Sequence, residues 1–449
     1  MPGLMTTQAP QIPNPSPPQR GIVHQVSWRE VLPSLTLWRA VWMAASPRTL
    51  LLAVLGIIAT SLGWQVLASL FAGSDDAQVA RQVQALRVSP WQWELPPVCP
   101  AVNSVVQGTP ATLPGEGFQA ASRFAVAPLG GTLFPPLSEW GIGSWALFAV
   151  SALWALVVWA WVGGAITRVT AVKYASEHYR FRAATRHASR KWVSYFSAPL
   201  LPLLFALVPA LFILPLGLLS RIDIGFAISA VVWPLAVLAG LGIAVLVAGL
   251  ALGWPLLWGN LSIEENTDAF DAVGRLYSYL GSRPIHYLMY LAMALLLGAF
   301  GWFVVAWLIN LAYGFSSGIA GLLAGSDRAL DWAAFGSLQA TPEQLGVRPD
   351  TTGGSILRFW ASFGRLLVTG YGVCFFWTAY TIVYFLLRQE VDRIPIDDVY
   401  RDEPEDTSDL PRLKPDSAGV ASLADDGAEV SSSTAPAASP SADEQDEAL

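Results

Sequence analysis

Six long apolar runs divide the chain, and each contains the roughly 20 apolar residues that a helix needs to cross the hydrocarbon core of a membrane. Polar and charged residues gather between these runs and at both ends of the chain. The pattern predicts an all-α, polytopic membrane protein with six transmembrane helices. The predicted spans are residues 49–71, 143–166, 198–219, 225–257, 285–313 and 366–387.

Prolines interrupt two of these spans. The third contains Pro199, Pro202, Pro209 and Pro215, which predict kinks or a broken helix. The fourth is longer than one membrane crossing requires and contains Pro234 and Pro255. We therefore expect the fourth helix to be tilted, kinked or extended past the membrane.

Ahead of the first span, apolar residues recur at steps of three and four, which is typical of an amphipathic helix. We expect residues 28–48 to form such a helix on the membrane surface, with Pro33 at its first turn or at a bend. The preceding residues 1–27 are polar and rich in proline, and we expect them to be disordered and cytoplasmic. The apolar positions of the helix are Trp28, Val31, Leu35, Trp38 and Trp42.

The composition excludes a soluble globular domain. Of 449 residues, 53% are hydrophobic and 13% are charged, whereas soluble domains carry about 25% charged residues. Residues 402–449 contain thirteen acidic residues against Arg412 and Lys414, so this tail carries −11 and the rest of the chain +4 within the net −7. We expect residues 388–449 to be an acidic, disordered, cytoplasmic tail. A basic body with an acidic tail does not indicate nucleic-acid binding.

The distribution of Lys and Arg predicts the orientation, because cytoplasmic loops are enriched in these residues. Segment 167–197 carries seven of them and segment 73–142 carries three. Both termini are therefore predicted to be cytoplasmic, with outer loops at 73–142 and 314–365. Arg358 and Arg365 fall on the outer side, against the rule.

One stretch, residues 262–284 (SIEENTDAFDAVGRLYSYLGSRP), concentrates acidic side chains between two apolar runs. Such a cluster can bind a divalent metal or supply an acid–base pair. It also fits the start of a helix, where acidic residues stabilise the positive end of the helix dipole. We favour the helix start and predict no metal ligand, cofactor or catalytic residue here. The four acids are Glu264, Glu265, Asp268 and Asp271.

The helix predicted from this stretch has a polar start and one apolar face. Ser262 and Glu265 have the spacing of a capping box, although the two residues after Glu265 are equally good starts. Asp271 and Arg275 form a favourable i,i+4 pair, and Pro284 ends this helix or opens the next. The apolar face is predicted to contain Phe270, Val273, Tyr277 and Leu280.

An earlier segment, residues 175–199, aligns with this stretch at an offset of 85 positions and also lies between two spans. We call residues 175–199 the first elbow and residues 262–284 the second elbow. The first elbow carries a basic stripe, three arginines at four-residue steps. The stripe either packs against the acidic residues of the second elbow or binds anionic lipid head groups, and the sequence leaves both open. The candidate contact residues are Arg182, Arg186, Arg190, Asp268, Asp271 and Arg275.

The middles of the spans contain almost no ionisable residues. Buried ionisable groups are the usual mark of proton or ion coupling, so the pattern argues against an ion-coupled transporter. Cys99 and Cys374 stand alone, without the spacing of a zinc site or a disulfide framework. Asn310 is the main strongly polar residue inside a span.

Four strings resemble a family of uncharacterised bacterial multi-span membrane proteins over most of residues 30–400. They are DAFDAVGRLYSYLGSRPIHYLMY, GGAITRVTAV, FSAPLLPLL and YFLLRQEVD. The order of span, elbow and span is more loosely similar to the membrane domain of some glycerophosphodiester phosphodiesterases, but their catalytic domain has no counterpart here. The first resemblance implies a location in the bacterial inner membrane and no established biochemical role.

The expected function is that of a non-enzymatic membrane component, a scaffold or a subunit of an envelope or transport assembly. The alternative is a transporter or channel for a lipid-like or apolar solute, and a membrane-embedded enzyme is the third possibility. Expected partners are membrane lipids, with anionic head groups, and other membrane proteins. A polar central cavity would favour transport, whereas a core packed with Leu and Trp would favour a scaffold.

Overall fold

The computed structural model describes most of the membrane region and little of the two ends of the chain. The described residues are 33–74, 76–87, 141–175, 180–264, 266–325, 328, 332, 352–396, 398–399, 413–415 and 421–423. Several predictions lie outside them: the disordered segment 1–27, Cys99 and most of the outer loop 73–142, the middle of the outer loop 314–365, Glu265, and nearly all of the acidic tail.

Six helices among the described residues are long and apolar enough to cross a membrane. This confirms the prediction of an all-α, polytopic membrane protein with six spanning helices. Numbered with the shorter helices in chain order, they are α2 (Pro47–Leu70), α4 (Ile142–Ala175), α7 (Leu200–Leu219), α8 (Asp223–Ile263), α10 (Pro284–Leu322) and α11 (Thr352–Val391).

Four of the six helices extend well beyond the apolar run that predicted them. Helix α4 continues through Arg168 and Lys173, and α11 begins 14 residues before the predicted span. Hydropathy marks only the part of a helix that faces hydrocarbon, whereas the helix itself continues until its backbone bonding is interrupted. Helices α7 and α8 each run as one helix although both contain internal prolines, so the expectation of a broken third helix is not met.

Helix α11 lies at the centre of the bundle: 78% of its most apolar stretch is buried, against 11% for both α7 and α8. Its neighbours are α2, α4, α10 and the last turns of α8. The core between them is aromatic. Trp258 and Trp377 stack with ring centroids 4.3 Å apart, and a Cβ on Gly163 would lie 2.4 Å from the Trp258 ring. Only glycine therefore allows α4 to approach this pair so closely.

The segment before the first span differs from the predicted surface helix. Residues Pro33–Leu37 form a 3-10 turn, and α1 follows from Trp38 to Ala44. Residues 28–32 are not described. The predicted apolar positions Trp38 and Trp42 are exposed, while Leu37, Ala40 and Val41 are buried. The reason is tertiary: α1 packs against α11, and the Tyr371 hydroxyl donates to the Val41 carbonyl oxygen at 3.3 Å.

Shorter helices connect the long ones. Helix α3 (Ala77–Arg87) follows α2 and packs on α2 and α4 through Val79 and Val83. Helices α5 (Phe181–Arg190) and α6 (Trp192–Ser197) lie within the first elbow, and α9 (Ala269–Ser282) lies within the second. Pro284 is the first residue of α10, where its missing N–H leaves no helical bond unmade.

Two three-residue strands occur in the tail that the sequence predicts to be disordered. Strands β1 (Leu413–Pro415) and β2 (Ala421–Leu423) pair antiparallel, with Leu413 opposite Leu423.

Candidate functional site at one end of the bundle

A buried polar cluster lies where the end of α8, helix α9 and the end of α11 meet. Its centre is Glu264, the residue that caps the C-terminus of α8. The Glu264 Oε1 atom lies 2.8 Å from Nε of Arg388 and 3.0 Å from Nη1 of Arg275. The Arg388 side chain is only 4% exposed, so Glu264 neutralises a guanidinium that water hardly reaches.

Tyrosine and amide groups surround these ion pairs. The Tyr384 hydroxyl donates to Glu264 Oε1 at 3.4 Å and accepts from Asn260 Nδ2 at 2.8 Å. The Tyr279 hydroxyl donates to the Asp392 carboxylate. Burial, together with this bond to Asp392, raises the pKa of Tyr279 above its ordinary value, so Tyr279 stays a donor at neutral pH. The cluster therefore joins α8, α9 and α11 through side chains that are distant in sequence.

Arg388 also joins the cluster to the chain beyond α11. Its Nη1 atom donates to the Asp398 carbonyl oxygen at 2.7 Å, and Nη2 lies 3.7 Å from the Asp398 carboxylate. One guanidinium thus contacts the end of α8 and the segment that follows α11. Because Arg presents several donors in a fixed plane, it can hold these elements at the same time.

A second group of buried hydroxyls centres on Ser262 in the last turn of α8. Its Oγ lies 2.7 Å from Thr167 Oγ1 and 2.8 Å from the Tyr195 hydroxyl, and its carbonyl oxygen accepts from Arg168. Ser262 is fully buried and lies inside α8. Its predicted role in a capping box for the next helix is therefore wrong.

The first elbow binds the same end of α8 through its buried face. The ring of His187 lies with Nε2 3.2 Å from the Leu261 carbonyl oxygen. Lys191 Nζ donates to the Glu264 carbonyl oxygen at 3.2 Å. These bonds satisfy carbonyl groups that the end of a helix leaves without an intrahelical partner, and they fix α5 beside the Glu264 cluster.

The basic stripe lies on the exposed side of α5, away from the face that packs on α8. Arg182, Arg186 and Arg190 are exposed on α5. Among the described residues, no ion pair joins them to Asp268 or Asp271.

The remaining predicted residues lie in α9. Asp268 is its N-cap, not a first-turn residue, and accepts from the Asp271 backbone N–H at 2.9 Å. Asp271 lies in the first turn and is exposed. The carboxylate that pairs with Arg275 is Glu264, not the predicted Asp271. Of the predicted apolar face, Phe270 is 61% exposed and Val273 is buried; Ala269 and Ala272 face the core beside Val273.

Replacing Asp268 with alanine removes the cap of α9, and we expect it to cost about 1 kcal/mol of stability. Asp268→Asn keeps an acceptor for the Asp271 N–H, so it should lower the stability by only about a few tenths of a kcal/mol. Heating the purified proteins in a mild detergent and following the loss of monodisperse protein measures the difference. Equal midpoints for the alanine and asparagine variants would contradict this role for Asp268.

Sequence reasoning missed most of this cluster. It assigned Glu264 to a helix start and used Arg388 only as a marker of orientation. A signal was nevertheless present: Asn260 and Ser262 are polar residues in the last turns of an apolar helix, and buried polar groups require partners. The described residues contain no group of three His, Cys, Asp or Glu side chains placed to hold a metal ion. The side chains around Glu264 join the ends of α8 and α11 to α9.

No protein-family model matches the sequence, and neither the curated proteins nor the solved structures give a significant match. The resemblance to a bacterial membrane protein family stays a prediction.

Proposed function

We propose that this protein is a non-enzymatic subunit or scaffold of a membrane assembly, and that helices α7 and α8 form its partner-binding surface. The observation that carries the proposal is the exposure of this helical hairpin. Residues 200–219 and 223–248 pack mainly on each other, and most of their large apolar side chains are exposed. The second half of α8, in contrast, is buried from Pro255 to Ile263.

The exposed part of α8 has the residue types that favour contact between helices in a membrane. Gly240, Ala244 and Ala248 recur at four-residue steps and so lie along one face. Ala244 and Ala248 are exposed, and nothing lies within 4 Å of the position that a Cβ on Gly240 would take. Small residues let the backbones of two helices approach closely, so that van der Waals packing can hold them together.

The interior of the bundle supports a structural role. Trp254, Trp258, Trp377 and Phe376 are in mutual ring contact at its centre. Such a core keeps α4, α8 and α11 in a fixed arrangement. A fixed core with one exposed hairpin is what a scaffold needs to present a constant surface to a partner.

The proposal includes an orientation and a location. Both elbows and the last turn of α11 lie at the same end of the bundle, as the contacts around Glu264 require. We place that end in the cytoplasm because it carries most of the Lys and Arg residues, and the family resemblance favours the bacterial inner membrane. The exposure of the basic stripe favours anionic lipid head groups as its partner.

We expect Gly240→Leu to separate the protein from its partner without unfolding it, because the new side chain fills an open space on the proposed contact face. The full chain, purified from native membranes in a mild detergent, should lose at least about 80% of the co-purified partner, a loss that corresponds to about 1 kcal/mol. The thermal midpoint of the variant should stay at the wild-type value.

Gly318→Leu is the matched control, since Gly318 lies on α10 and also has nothing within 4 Å of its Cβ position. It should leave the recovered partner unchanged. Recovery of the wild-type protein alone from native membranes, or equal loss of partner in both variants, would overturn the proposal.

A further inference from the structure

Arg365, at the opposite end of α11, is buried, and no carboxylate among the described residues pairs with it. Arg365 is 9% exposed, and its Nε atom has no hydrogen-bond partner. No carboxylate among the described residues lies within 4.0 Å of its guanidinium, whereas Arg388 on the same helix has two. The two arginines therefore differ in pairing although they share one helix.

An unpaired buried guanidinium is costly. A buried lysine or carboxylate can become neutral, but arginine stays protonated in proteins. Isolated charges inside a membrane protein are expensive, and they face a partner or a water-filled space. The chemical requirement at Arg365 is therefore an anion that the described part of the chain does not supply.

The position of Arg365 along α11 indicates where that anion lies. Arg365 and Arg388 are 23 residues apart, which is about 34 Å on an α-helix and close to the roughly 30 Å of a hydrocarbon core. With Arg388 at one membrane boundary, Arg365 lies at the other. Phe359 and Trp360, one to two turns earlier, are exposed, as aromatic residues are at the level of the head groups.

The surroundings of Arg365 are suited to a phosphate. Arg358 lies seven residues earlier, two turns along the same face of α11, and adds a second positive charge there. The Tyr313 hydroxyl on α10 interacts with this guanidinium and donates to the Trp360 carbonyl oxygen, so Arg365 itself must supply the donors to a phosphate. A planar guanidinium matches two phosphate oxygens at once.

The neighbouring surface is suited to an acyl chain. Phe315 and Ile319 on α10 are 63% and 68% exposed, on a different face of the helix from Tyr313, so hydrocarbon surrounds this end of the bundle. An acyl chain could lie along such an apolar face. We infer that Arg365 forms a binding site for a phosphate oxyanion at the membrane face opposite Glu264, with a lipid head group as the expected source.

The test measures binding of phosphatidylglycerol to the detergent-purified full chain by native mass spectrometry. Diacylglycerol, which lacks the phosphate, serves as the matched lipid. The wild-type protein should bind phosphatidylglycerol and not diacylglycerol. Arg365→Gln should weaken phosphatidylglycerol binding at least about tenfold, because a charge-assisted hydrogen bond is lost. Arg365→Lys keeps the charge but not the paired donors, so its affinity for phosphatidylglycerol should lie between those of the wild-type protein and Arg365→Gln. This variant also tests the site if the glutamine variant does not fold.

Arg221→Gln is the control, because Arg221 is an exposed arginine in the turn between α7 and α8 and should not affect binding. Inorganic phosphate distinguishes the sources of the oxyanion. If phosphate raises the thermal midpoint of the wild-type protein but not of Arg365→Gln, and phosphatidylglycerol has no effect, the site binds a free anion. Equal binding of both lipids by the wild-type protein and the Arg365 variants would overturn the inference. So would an Arg365→Gln protein that is more stable than wild type and shows no response to either anion.

Discussion

Glu264→Gln will lower the free energy of unfolding by roughly 3–5 kcal/mol, the cost of breaking a buried ion pair from one side. The substitution keeps the size of the side chain and removes its charge. Arg388, 4% exposed, then keeps the Asp398 carbonyl oxygen but only the distant carboxylate of Asp398 to balance its charge, and Arg275 loses its paired carboxylate. Most of the cost comes from Arg388, because Arg275 is 37% exposed and partly screened by water.

The measurement is the thermal midpoint of the detergent-purified protein, followed by the loss of its monodisperse peak. Asp271→Asn is the matched control, since it removes one negative charge from an exposed position in the neighbouring helix and should shift the midpoint little. The double variant Glu264→Gln with Arg388→Met should recover part of the loss, because it leaves no buried charge uncompensated. A Glu264→Gln midpoint equal to that of Asp271→Asn would show that the ion pairs contribute little.

Trp258→Ala is expected to destabilise the bundle by about 3–5 kcal/mol. The Trp258 side chain is fully buried, stacks on Trp377 and meets Trp254 edge to face at 5.5 Å. Its indole N–H donates to the Tyr195 carbonyl oxygen at 2.9 Å. Removing the ring leaves a void that α4, α8 and α11 cannot all close, so the contacts of its neighbours are lost.

The control for this change is Trp233→Ala. Trp233 lies on the same helix but is 57% exposed, and lipid can replace the contacts that its ring makes. Thermal midpoints of the two variants in the same detergent give the comparison. A similar loss of stability in both would mean that the aromatic core is no more important than the surface of the hairpin.

The positions of the spanning helices could be predicted from the sequence, but the residues at which these helices begin and end could not. An apolar run is a local property, and membrane thickness fixes its minimum length. The ends depend on neighbours. Helix α4 continues through Arg168, whose side chain donates to the Ser262 carbonyl oxygen on α8. Helix α11 continues to Val391, and its Arg388 forms an ion pair with Glu264.

The sequence also did not predict which face of each short helix packs against the rest of the protein. Spacing placed Trp38, Trp42 and Phe270 on apolar faces for the membrane surface, and all three are exposed on the protein, but spacing did not predict which residues the protein buries. In a membrane protein, the lipid-facing and protein-facing sides of a helix can be equally apolar, so periodicity does not distinguish them. Small residues such as Ala40 and Ala269 mark the packed sides here.

By itself, the sequence determined that this is an all-α membrane protein with six spanning helices and a strongly acidic C-terminal segment. Only the tertiary structure decided which of its similar charged residues have partners. Glu264 and Arg388 are 124 positions apart and pair, the neighbouring Asp268 caps a helix, and Arg365 is buried without a paired carboxylate among the described residues. The reason is physical: a charge is stabilised by what lies within a few ångströms of it, and in a helical bundle those neighbours come from other helices.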